Sequence, residues 1–121
     1  MTVLWVALAG SAGALARFVL DGAIRALRPS AFPWATVLIN VTGSFAIGFL
    51  AGSVLAGSAP ASAQTLLGTG FCGGYTTFST ASLETVRLAQ NGRPWLSLAN
   101  AGGTMVFTVG AAAVGLLAAR L

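Results

Sequence analysis

The sequence predicts an all-α membrane protein: four transmembrane helices, the third of them broken near its middle. Three observations carry that expectation. Of 121 residues, 56% are hydrophobic and only 7% charged, with a mean hydropathy of +0.88, a balance foreign to soluble domains. No charged residue occurs between Pro29 and Leu83, and because one helical crossing takes about 20 apolar residues, that stretch holds two spans, with one more on either side. Inside it, "FCGGYTTFST" sets paired glycines and a run of hydroxyls where an unbroken helix favours neither.

The elements follow in order. Span one covers residues 2–27, apolar to about Leu20 and amphipathic beyond it, and span two covers 32–56. Span three covers 62–87 and span four 94–119. The joints "RALRPSAFP", "GSAPASA" and "AQNGRP" carry ordinary turn punctuation. These four spans use nearly the whole chain, which reads as a single transmembrane domain over 1–121. No basic region precedes the first apolar stretch, so no cleavable signal is expected.

Several chemistries are excluded by what is missing. There is no His and one cysteine, Cys72, so one chain assembles neither a zinc set nor a disulfide framework. Asp21 and Glu84 are the only acids, which leaves no general acid/base pair, and no enzyme is expected. The net charge of +4 comes from six arginines scattered at helix ends. That is the pattern of a membrane interface and not of a nucleic-acid patch.

Function must then lie in polar residues inside the spans, each of which needs a partner that hydrocarbon does not supply. In span two, Thr36, Asn40, Ser44, Gly48 and Gly52 recur every four residues and share one helix face. The plain reading of the two glycines is a GxxxG packing seam. Asn40 suits such a seam poorly unless it has a specific partner. In span four, Asn100, Thr104 and Thr108 climb the helix in steps of about 6 Å and form a ladder of donors. Threonines can equally bond back to carbonyls one turn earlier, but three polar residues in register on a helix of Ala, Gly and Val favour a pathway. In span three, Gly73 and Gly74 weaken the helix while Thr76, Thr77, Ser79 and Thr80 offer local alternatives to its hydrogen bonds. Broken backbone at membrane depth survives only when buried in protein or lining a cavity, where its freed carbonyls can hold a cation.

Three motifs together resemble the Fluc/CrcB fluoride channel family over essentially the whole chain: "GSAGALARF" (Gly10 to Phe18), "INVTGSFAIG" (Ile39 to Gly48) and "GFCGGYTTFST" (Gly70 to Thr80). The resemblance implies a passive fluoride channel of the inner (plasma) membrane, an antiparallel dimer with two pores. It also implies a structural sodium ion at the dimer centre, held by backbone carbonyls that by motif match are those of Gly73 and Thr76. Asn40 matches the family's pore-lining asparagine and Phe78 the first phenylalanine of its aromatic box. Thr104 and Thr108 match its fourth-helix polar track, and Asn100 stands where another polar or aromatic residue is common. Thr77 and Ser79, beside Phe78, complete the expected fluoride pathway. The second box position departs from the family, being Ala81 here.

The chemistry agrees with the resemblance. Fluoride is small and tightly hydrated, so a pore must replace water with uncharged donors, whereas carboxylates repel it. Arg17 is expected at a mouth, or as an anchor paired with Glu84 or capping helix one. Arg25, Arg28, Arg87 and Arg93 gather at loops one and three, which predicts those loops in the cytoplasm and both termini outside. A fixed orientation calls for an oppositely oriented homologous subunit, so the partner is either a second copy or a heterodimer mate. Two other classes compete. A small multidrug exporter needs a carboxylate buried in the first span, and none is present; a non-conducting subunit of a heterodimeric channel needs only the packing surfaces.

Overall fold

The computed structural model describes Met1–Leu121 and contains helices without any strand. Helix α1 is Thr2–Leu27 and α2 is Trp34–Leu55. The third crossing comes in two pieces. Its first, α3 (residues 61–75), is a π-helical run, Gln64–Cys72, flanked by single α turns at Ala61–Ala63 and Gly73–Tyr75. Its second, α4, is Ser79–Gln90, and α5, Pro94–Ala118, closes the bundle. The fold is the all-α, four-crossing arrangement, with its third helix interrupted at residues 76–78. For that reason only α1, α2 and α5, at 26, 22 and 25 residues, are unbroken helices long and apolar enough to cross a membrane.

Two glycines end helices where the punctuation lay. Gly57 and Gly92 take positive φ of 79° and 74°, conformations that cost other residues a Cβ clash. Each sits in a Schellman turn: Ser58 N–H bonds to the Ser53 carbonyl, and Arg93 N–H to the Leu88 carbonyl, both at 2.9 Å.

The packing is in pairs. α2 lies along α5, and α3 lies along α1; after the break, α4 lies along α5. The interruption therefore carries the chain from the α1 side of the bundle to the α5 side. The α2–α5 seam is the glycine face read in span two. A Cβ on Gly48 would collide with the backbone of Ala112, and one on Gly115 with the Phe45 carbonyl. Helices approaching this closely gain van der Waals contact, which drives association where lipid removes the hydrophobic term.

Only 18 of 121 residues are buried, and most large apolar side chains, such as Phe18, Val106 and Phe107, face outward. The inside is as polar as it is apolar: Thr36, Asn40, Ser53, Thr77 and Asn100 are buried beside Ala35, Val37, Ile39, Cys72 and Leu88. Such inversion suits a chain whose exterior is lipid.

One expectation is corrected. Glu84 is bound not by Arg17 but by Arg25, whose Nη2 stands 2.7 Å from Glu84 Oε2 while its Nε stands 2.9 Å from Asp21 Oδ1. Arg17 enters no ion pair. Arg25 lies two turns further along α1, level with α4, and it also reaches Thr36 Oγ1 on α2 at 3.4 Å. One guanidinium thus ties three helices below the break.

Candidate ion pathway at the helix break

The break is built by side chains taking over backbone bonds. Thr76 closes α3 by donating its N–H and its hydroxyl to the Cys72 carbonyl, both at 2.9 Å. It then turns extended, with φ −77° and ψ 159°. In a continuous helix the next amide, Thr77 N–H, would serve the Gly73 carbonyl. Here it donates to Asn40 Oδ1 at 2.8 Å, and Asn40 Nδ2 donates to the Thr77 carbonyl at 2.9 Å. Thr77 Oγ1 accepts the N–H of Thr80 at 3.2 Å, capping the start of α4. The partner that Asn40 needed is the broken backbone itself.

Between α4 and α5 lies an open groove of about 670 Å³ that reaches the break. It brings together Asn40, Thr77, Phe78, Asn100, Thr104 and Thr108, and the Thr76 side of the cation motif. Ser79 and Gly73 do not line it. Ser79 is exposed on the first turn of α4, and Gly73 is exposed on the last turn of α3. Phe78, at 87% exposure, stands out from the bundle at the break, and Ala81 leaves room one turn along.

A proton ledger separates these groups. Thr108 gives its hydroxyl proton to the Thr104 carbonyl at 2.7 Å, the back-bond open to any helical threonine. Thr104 leans instead toward Asn100 Oδ1 at 3.5 Å, the longest side-chain bond in the structure. Asn100 Nδ2 donates to Thr85 Oγ1 at 2.8 Å. A primary amide carries two N–H donors, so Asn40 and Asn100 each keep one uncommitted. Those two protons, the loosely held Thr104 hydroxyl, and the hydroxyls of Thr77 and Ser82, which donate to no group of the chain, are the donors the groove can offer. No carboxylate lines it.

Thr85 and Ser82 are lining residues that the sequence reading missed. The signal was available, because Phe78, Ser82 and Thr85 recur at helical spacing on the face that also holds Ala81.

The family described as CrcB-like protein, Camphor Resistance (CrcB), matches residues 4–116. A Leifsonia xyli protein named fluoride-specific ion channel FluC 1 is 50% identical over 96% of this chain and 85% of its own length. A Frankia casuarinae protein of the same name is 41% identical over 99% of this chain and 97% of its own. A Magnetococcus marinus protein, fluoride-specific ion channel FluC, is 42% identical over 100% and 99%. The chain is thus a multi-pass membrane protein that belongs to the CrcB family.

Proposed function

We propose that this chain forms a passive, fluoride-selective channel in the plasma membrane, as an antiparallel dimer with two pores and a sodium ion between the two chains. Its relatives are named as ion channels and not as enzymes. The observation that carries the proposal is the groove at the break, which offers uncommitted N–H donors from Asn40 and Asn100, the loosely held hydroxyl of Thr104, and no carboxylate.

The mechanism follows from what fluoride asks for. A small anion leaving water must exchange its hydration for donors at each step, each favourable enough to enter and weak enough to leave. Thr104 can turn its proton from a 3.5 Å contact to an ion at little cost. The spare N–H protons of Asn40 and Asn100 flank it along the groove. Phe78 adds the positive edge of its ring at the break. No lining group titrates near neutral pH, so nothing couples the ion to protons and movement is downhill.

The second chain is supported by the exposure of the break. An open groove with interrupted backbone at membrane depth requires protein cover. The residues also fit sodium. Asn40 takes the amide that would occupy the Gly73 carbonyl, and no donor reaches the Thr76 carbonyl. Hard cations take several oxygen ligands. Two carbonyls from one chain are too few, and a second copy doubles them; the ion would pin the two breaks together.

A heterodimer is the second reading, favoured by Ala81 at the second aromatic position and by the arginines gathered at loops one and three. The test is passive fluoride efflux from liposomes, with the chain alone and with a co-expressed homologue. Flux that ignores an imposed proton gradient supports a channel, and proton-driven uphill transport excludes it. Flux from the chain alone excludes an obligatory heterodimer.

A further inference from the structure

We infer that Thr85 is a positioning residue for the ion pathway: it fixes the side-chain amide of Asn100 so that the α4 side of the groove meets its proton-bearing nitrogen and not its oxygen. The inference rests on the fluoride-conducting reading of the groove.

One hydroxyl proton decides the orientation. Thr85 Oγ1 donates to the Ala81 carbonyl at 2.8 Å. A threonine has a single proton to give, so the hydroxyl presents only lone pairs to α5. Asn100 faces it with Nδ2 at 2.8 Å. Turning the amide over would set oxygen against oxygen, unless Thr85 abandoned Ala81. Asn100 is only 2% exposed, so the wrong orientation would press two oxygens together with no proton between them, and a buried unpaired polar atom is costly.

Two further bonds hold this arrangement in place. Ser97 Oγ donates to the Thr85 backbone carbonyl at 2.7 Å, locking the first turns of α5 to α4. On the other side Asn100 Oδ1 is the acceptor toward which Thr104 leans. The order of protons along Thr104, Asn100, Thr85 and Ala81 is therefore set from the α4 end. An anion beside Asn100 finds the remaining N–H. With the amide reversed it would find a carbonyl dipole of the wrong sign. Thr85 itself has no proton left for the ion, which makes its role indirect.

The test is fluoride efflux from liposomes holding the channel with whichever subunit it requires. Thr85→Val keeps the shape and removes the hydroxyl; efflux should fall about tenfold, the scale of a buried amide losing its partner, with the dimer eluting unchanged. Thr85→Ser should restore efflux to within about threefold of wild type, since it keeps the same acceptor. In an Asn100→Leu background, Thr85→Val should change efflux by less than about twofold, because a residue acting only through Asn100 has nothing left to position. Should Thr85→Val fail to assemble, Thr85→Ala is read in the same way. Wild-type efflux from Thr85→Val, no rescue by serine, or an equal loss in the Asn100→Leu background overturns the inference while the channel still conducts. A wild-type protein that passes no fluoride overturns the conducting reading and the inference with it, and is seen before any substitution is made.

Discussion

The side-chain amide of Asn40 pairs with both backbone polar groups of Thr77, accepting its N–H at 2.8 Å and donating to its carbonyl at 2.9 Å. One buried residue on α2 thereby replaces the helical bonds that the third crossing gives up. It also leaves one N–H of a groove-lining residue uncommitted and a carbonyl free at Gly73.

Asn40→Leu removes both bonds and strands two backbone groups at a cost of about 1–3 kcal/mol each. We expect fluoride flux to fall at least about tenfold, with lowered thermal stability. Asn40→Asp retains the acceptor for Thr77 N–H but sets an anionic oxygen against the Thr77 carbonyl and toward the groove. It should abolish flux even where the protein still elutes as a dimer.

Gly48→Val should act on stability alone. Its Cβ meets the Ala112 backbone, which cannot retreat without parting α2 from α5, and overpacking of this kind costs about 1–3 kcal/mol or more. Thermal unfolding in detergent should show a lowered midpoint. Gly102, beside which a Cβ meets open space, is the control, and Gly102→Ala should leave the midpoint undiminished or raise it slightly, since alanine favours the helix by up to about 1 kcal/mol.

Arg25→Gln leaves Glu84, whose side chain is 13% exposed, without its cation. Because Arg25 is itself half-exposed, the loss should fall below the ~3–5 kcal/mol of a fully buried pair. It should still exceed that of Arg17→Gln, since Arg17 has no ion pair. Equal destabilisation of the two variants in a denaturation series would contradict the Arg25 assignment.

If the proposed sodium ion bridges two chains, replacing sodium by a large organic cation should lower the thermal midpoint, since a ligand held only by the assembled state stabilises it by mass action. Thr76 offers its backbone oxygen, so Thr76→Ser should keep the sodium dependence. A midpoint indifferent to sodium would remove the ion from the account.

The bundle was legible in the sequence because lipid imposes a simple rule on it: long apolar stretches with few charges, separated by turns rich in proline, glycine and small polar residues. The break was legible because Gly73 and Gly74 followed by four hydroxyls conflict with a helix locally. Asn40 announced that it needed a partner, being too large for a glycine seam. Its identity as Thr77 was not legible, since that pairing joins residues 37 apart in sequence and depends on how far the third crossing turns. The same holds for Glu84, where choosing Arg25 over Arg17 requires knowing the level at which α4 meets α1. The π-helical run over Gln64–Cys72 carries no propensity signal of its own; it widens the turn just before the break. Thr85 escaped notice because, one at a time, helical threonines bonded to their own backbone are commonplace.

Fluoride-electrode recording on liposomes loaded with equal fluoride and chloride tests the central claim most directly, with every required subunit present. Fast fluoride efflux that leaves the chloride inside is expected, because the larger halide should fit poorly among donors set by Asn40, Asn100 and Thr104. Vesicles that hold their fluoride, or that release both halides at one rate, would contradict it.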